Sequence, residues 1–311
     1  MHKQNSHFLL LTLLFALMIL VVSGCSQPEG HEEEPKSQEG PQPLLIGLIP
    51  EQNLFAQKKR YEPLLAFLSS QLDRPIEVHI LPRYGNIIEN FNALKLDGAF
   101  FGSFTGALAI KMLGVEPVAR PRYADGASTY YGMVFVRKGS GIRTAEDMRG
   151  KRMVFVDRAT TAGYLLPLSY FHSIGIHDFR QWFSEYYFSG THEDAIYDVL
   201  NGKAEVGAAK NTVLYRLAAK DIRVAQNLEI LATSPHVPAN GLAVRHDLPD
   251  EIKEALQSIL LELHQNAAGQ AILEGLGMER FIETTAGDYQ PVFEYAASIG
   301  LDLGTYDYLN N

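Results

Sequence analysis

Residues able to grip an anion recur at three points of this 311-residue chain. Thr160 and Thr161 follow the apolar run Phe155-Val156 and precede a helix-like periodicity that begins near Gly163. Ser103 and Thr105 stand in the same relation to Phe100-Phe101, and His192 to the strand-like segment ending at Phe188. At a helix start, free backbone N–H groups and the helix dipole favour negative charge, and hydroxyls or an imidazole add donors. Taken singly, capping is the simpler account of the threonines, and an exposed bystander the simpler account of a lone loop histidine. Three such turns form a stronger pattern, because strand-end turns line the ligand crevice of open α/β sheets. The chemistry expected is capture rather than catalysis. The chain has no Gly-x-Ser-x-Gly elbow, no His-Glu-x-x-His and no Gly-Lys-Ser/Thr phosphate cradle, and Asp157 with His192 lacks a nucleophile. No cofactor and no metal is expected, since one cysteine cannot supply a multi-thiolate site.

Short apolar runs and amphipathic stretches must position these turns. Strands are predicted at 44–49, 76–80, 99–101, 115–119, 133–136, 152–156, 186–188, 206–209, 230–232 and 242–244. Between them lie helix-period segments, such as 61–72 with Tyr61, Leu64, Leu65, Leu68 and Leu72 on one face. The tail from Pro249 onward reads as helices. This alternation makes an α/β protein with mainly parallel sheets. Breaks at the glycine-rich 139–141 and the Pro/Gly-rich 234–241 divide it into two lobes, 44–137 with 241–311 and 138–240. Two crossovers, with a hinge near 136–138 and 241–244, leave a cleft between the lobes where a small ligand would bind.

The amino terminus carries a separate signal. Lys3 precedes the fifteen-residue apolar run 8–22, short for a bilayer span, which ends at Val22-Ser23-Gly24-Cys25. That tetrapeptide resembles the lipobox of bacterial lipoproteins, so 1–24 is expected to be a signal peptide and Cys25 the lipidation site. Residues 25–43, rich in proline and glutamate, read as a flexible acidic tether. The protein is thus expected in the cell envelope, exported and held to the membrane by its lipid alone. A net charge of −9 argues against a nucleic-acid partner.

The ordered motifs from about 44 to 291 resemble one family. They include Gly47-Leu48-Ile49-Pro50, Tyr61-Glu62-Pro63-Leu64, Tyr84 and Asp97-Gly98-Ala99-Phe100-Phe101-Gly102. Tyr130, Asp157 with Thr160-Thr161-Ala162-Gly163-Tyr164, Ser189-Gly190-Thr191-His192 and Asn201-Gly202-Lys203-Ala204-Glu205-Val206-Gly207 continue the series. The chain resembles the phosphonate/phosphite substrate-binding proteins of ABC transporters. The resemblance implies the two-lobed type 2 periplasmic-binding-protein fold, each lobe a sheet flanked by helices, closing on a small tetrahedral oxyanion. The family's Ser-Thr-Ser turn maps onto Thr160, Thr161 and Ala162, its histidine onto His192, its pocket tyrosines onto Tyr84 and Tyr130. Its first-lobe turn maps onto Ser103 and Thr105.

Two carboxylates that contact a ligand amino group in some members align with Thr212 and Asn240, so a purely anionic ligand such as phosphite, methylphosphonate or phosphate is expected over 2-aminoethylphosphonate. Lys210 either adds a positive charge to the cleft or points to solvent. The implied role is that of a monomeric importer subunit working with a permease and an ATPase. The alternative is a ligand-sensing subunit that presents its closed form to a receptor or histidine kinase.

Overall fold

The computed structural model describes residues 41–310; the expected signal peptide, Cys25 and most of the tether lie outside the described residues. In chain order the strands are β1 (Leu44–Leu48), β2 (Ile76–Ile80), β3 (Gly98–Phe101), β4 (Glu116–Arg122) and β5 (Thr129–Tyr130). There follow β6 (Gly132–Arg137), β7 (Arg152–Phe155), β8 (Glu185–Phe188), β9 (Val206–Lys210) and β10 (Leu228–Thr233). β11 (Val237–Pro238), β12 (Gly241–Val244) and β13 (Arg280–Glu283) complete the set. The main helices are α1 (Leu54–Leu72), α2 (Ser103–Leu113), α3 (Leu166–Ser173) and α4 (His192–Leu200). After them come α5 (Asn211–Lys220), α6 (Asp250–Glu262), α7 (Ala267–Leu276) and α8 (Gln290–Ser298).

Two sheets form, one per lobe. The first has the order β13-β4-β12-β3-β1-β2 and the second β10-β6-β9-β7-β8. β1 is sandwiched between parallel neighbours β2 and β3 and is apolar on both faces, as a central parallel strand must be. Most strands of each sheet share one direction, but both sheets are mixed: β12 and β13 run against β1–β4 in the first, and β6 against the rest of the second. For β6 and β12 the reversal has a simple cause, since each follows a crossover directly and so enters its sheet from the opposite end.

α1 begins where Asn53 Oδ1 accepts the Phe55 and Ala56 N–H groups, at 3.1 and 3.2 Å, and lays Tyr61, Leu64, Leu65 and Leu68 on the sheet. With α6 and α7 it covers one face of the first sheet, around Leu44, Ile46, Leu48 and Phe100. The opposite face, bearing Ala99 and Phe101, packs on α2 and joins a core that continues through the second lobe.

The lobe boundary departs from expectation. Residues 132–137 were assigned to the first lobe, yet β6 pairs with β9 and β10 inside the second sheet. The crossovers therefore fall earlier, at β5 and β11, which pair antiparallel with Tyr130 opposite Val237. The tail also differs: β13 interrupts its helices, because Phe281 alternates with more exposed neighbours and completes the sheet edge beside β4. Beyond α8 the chain reaches the second lobe. The Tyr306 hydroxyl donates to the Arg158 carbonyl at 2.9 Å, and Asn310 Nδ2 donates to Asp157 Oδ2 at 2.8 Å. Among the described residues, no helix is long and apolar enough to cross a membrane.

Candidate ligand-binding site

The strand-end turns of both lobes and the two crossovers converge on one cavity. About 210 Å³ lies between Ile49, Glu51, Tyr84, Gly102, Thr105, Tyr130, Ala159, Thr160, Thr161, His192, Lys210 and Asn240. Part of that space opens to solvent, and the enclosed part, about 10 Å³ for the centre of a water-sized sphere, leaves room only for a small group.

In the second lobe, β7 runs on into Val156 and Asp157, and the chain turns back over itself. Asp157 Oδ1 accepts the Ala159 N–H at 2.8 Å, and the Thr160 hydroxyl donates to the Asp157 carbonyl at 2.6 Å. The Thr160 proton is thus committed to the turn, and its side chain, though at the N-cap position, caps no backbone N–H. A wide π-type turn, Thr161–Leu165, then runs into α3. Gly163 permits it: a Cβ there would sit 2.4 Å from the Val156 Cβ. Thr161 is different from Thr160. Its Oγ1 accepts the Phe104 N–H at 2.8 Å, a contact between lobes, and its hydroxyl also bonds that of Tyr130.

His192 heads α4, whose cap is Thr191, accepting the Asp194 N–H at 3.0 Å. The imidazole is buried, and its Nδ1 accepts the Lys210 backbone N–H at 3.3 Å. That bond fixes the neutral tautomer with the proton on Nε2. Burial, with Lys210 and Arg216 nearby, pushes its pKa down to about 3 against the opposing pull of Glu51. His192 is therefore a neutral donor at every ordinary pH. The Tyr84 ring meets it edge-on at 5.9 Å, and the Tyr84 hydroxyl is buried with no hydrogen-bond partner among the described residues. Burial raises Tyr84 well above the ordinary phenol value and Tyr130 to about 12, so both stay protonated.

The far wall holds a pair of charges. Lys210 Nζ, at the end of β9, lies 2.7 Å from Glu51 Oε1 of the first lobe, with both side chains almost wholly buried. Lys210 also donates to Asn240 Oδ1 at 3.0 Å, and Asn240 Nδ2 donates back to Glu51 Oε1 at 2.7 Å. Burial would raise the Glu51 pKa, but the charges of Lys210 and Arg216 and the Lys210 hydrogen bond outweigh it and hold the carboxyl at about 2. A further contact between lobes, Asn53 N–H to Glu193 Oε2 at 3.2 Å, lies on an exposed edge.

Of the residues singled out from the sequence, Tyr84, Thr105, Tyr130, Thr160, Thr161, His192 and Asn240 line the cavity. Ser103, Ala162 and Thr212 do not. The Ser103 hydroxyl is turned to the crossovers, donating to the Pro238 carbonyl and lying 3.0 Å from the Tyr130 hydroxyl. Ala162 is buried against Gly132, and Thr212 is half-buried in the first turn of α5. Lys210, whose direction was open, faces inward. Glu51 was missed; its place just past the carboxyl end of β1 was the available signal.

A family model, ABC transporter, phosphonate, periplasmic substrate-binding protein, matches residues 46–289. The chain belongs to that family. Membership makes it the periplasmic substrate-binding component of an ABC transporter, an exported partner of a permease and an ATPase. It is 23% identical over 292 residues, 92% of this chain and 82% of the other, to the phosphonates-binding periplasmic protein of Escherichia coli K12. It is 25% identical over 267 residues, 82% of this chain and 89% of the other, to a probable ABC transporter phosphite binding protein, PhnD1, of Prochlorococcus marinus. The structure of PhnD1 in complex with methylphosphonate matches with a TM-score of 0.74 at 22% identity, covering 84% of this chain and 99% of that one. A binding protein component of an ABC phosphonate transporter from Pseudomonas aeruginosa matches at 0.78 with 24% identity, covering 84% and 87%. These likenesses show the two-lobed periplasmic-binding-protein fold expected from the sequence.

Proposed function

We propose that the protein captures a small tetrahedral oxyanion, a phosphonate, phosphite or phosphate-like ion, in the cavity between its lobes, and presents it to the permease. The observation that carries this reading is the donor set at the cavity. His192 offers Nε2–H as a neutral donor, Tyr84 an unpartnered hydroxyl and Thr161 a hydroxyl at the cavity wall, while Glu51 and Lys210 cancel each other's charge. Hydrogen bonds from neutral donors to an ionised acceptor contribute about 1.5–3 kcal/mol each, net of the water they replace. The relatives named for phosphonate and phosphite binding support the same ligand class.

Binding is coupled to closure about the β5–β11 ribbon. The lobes touch through Thr161 and Phe104, so the ligand that draws Thr161 inward also favours the closed form. Once exported, the chain is anchored through Cys25, and no step requires an enzyme. A thermal-shift screen across phosphorus, sulfur and selenium oxyanions tests the assignment. Methylphosphonate, phosphite or phosphate raises the melting temperature in a saturable way. A response confined to sulfate or selenate, or none at all, refutes it.

A further inference from the structure

We propose that Lys210 is the specificity-determining residue of this cavity, excluding oxyanions that carry their own ammonium by occupying the one carboxylate on the cavity wall. The inference rests on the oxyanion reading given above and adds the class of ligand that is refused.

Glu51 is the sole acid among the residues lining the cavity. It is held in place from behind, where its N–H donates to Gln57 Oε1 at 2.9 Å and Gln57 Nε2 donates to the Ile49 carbonyl. The Lys210 ammonium is engaged in turn. It donates to Glu51 and Asn240, and it lies 4.3 Å from the centre of the Tyr130 ring. Lys210 and Asn240 both bond Oε1, so an incoming ammonium at Oε2 would share a carboxylate whose charge Lys210 already neutralises, and taking the carboxylate over would leave Lys210 buried and unpaired. It would also enter the field of Arg216, whose charge already acts on Glu51 and whose Nη2 has no partner among the described residues. The main chain of the same residue sets the other half of the site, since its N–H fixes the donor tautomer of His192. One residue thus directs a proton toward an anion and withholds the carboxylate that would attract a cation.

Two matched ligands test this on the purified wild-type protein. Ethylphosphonate and 2-aminoethylphosphonate differ chiefly by the ammonium, so ethylphosphonate is expected to bind at least about tenfold more tightly by calorimetry. Equal or tighter binding of the aminoethyl compound overturns the proposal without any variant. Lys210→Ala, which frees Glu51 and opens space beside it, is expected to reverse the preference. Lys210→Ala combined with Glu51→Gln opens the same space without the carboxylate and should not reverse it. A folded Lys210→Ala protein that keeps the wild-type preference overturns the proposal; if it does not fold, the wild-type comparison decides. Wild-type protein that binds neither methylphosphonate, phosphite nor phosphate refutes the oxyanion reading itself.

Discussion

Lowering the pH should expose two buried groups that titrate in opposite senses. His192 is held neutral in the fold, with a pKa near 3 against 6.5 when unfolded. The unfolded chain then takes up a proton that the native state refuses, so stability falls as pH drops below about 6.5. At 1.36 kcal/mol per unit the loss between pH 7 and pH 4 is about 3 kcal/mol. Asp157 works the other way. Burial lifts its carboxyl to about 6 despite hydrogen bonds from Ala159 and Asn310, so the native state gains a proton between pH 6 and 4 that the unfolded chain does not yet hold. That gain is of similar size, about 3 kcal/mol, and the two largely cancel. Urea unfolding followed by circular dichroism from pH 4 to 7 should unmask each. Asp157→Asn keeps an acceptor for Ala159 and removes the gain, so its stability relative to wild type falls steadily from pH 6 to 4. His192→Gln removes the loss, so its stability relative to wild type rises over the same interval. Difference curves that stay flat for both variants would refute the reasoning, because they require the two groups to titrate alike in both states.

Other perturbations read separate parts of the site. Glu51→Gln leaves Lys210 buried without its counter-charge and should cost about 3–5 kcal/mol, whereas Glu51→Gln with Lys210→Met should recover most of it; denaturant titration of the four proteins measures the coupling. Gly163→Ala places a Cβ against Val156 and should destabilise by roughly 1–3 kcal/mol, read as a lower melting temperature. Tyr306→Phe removes one hydrogen bond to the Arg158 carbonyl, and about 1 kcal/mol of stability should go with it in the same assay.

Much of this arrangement is written in local patterns. The turns at 103–105, 160–163 and 191–192 are legible because hydrophobic periodicity switches there from strand to helix, and a hydroxyl or imidazole stands at the switch. The partition between Thr160 and Thr161 is not legible, since it depends on which hydroxyl proton the Asp157 carbonyl takes. Glu51 has no periodic signature, and its meaning comes from Lys210, 159 residues away in sequence. The crossovers were displaced because β5 and β11 are two-residue strands, too short to alternate. The glycines at 139 and 141 suggested a domain break but serve a turn at the end of β6, with φ of 74° and 80°. β13 was hidden among helices because four residues, with one buried aromatic, cannot outweigh the pattern on either side.

The central claim is that a tetrahedral oxyanion is held by His192, Thr161 and Tyr84 between the lobes. Calorimetric titration of methylphosphonate into wild type, Thr161→Ala and His192→Ala tests it most directly. The account predicts saturable one-site binding to wild type, weakened by roughly 1–3 kcal/mol in each variant, or about 5- to 150-fold. Undiminished affinity in both variants, or no binding to the wild type, would contradict it.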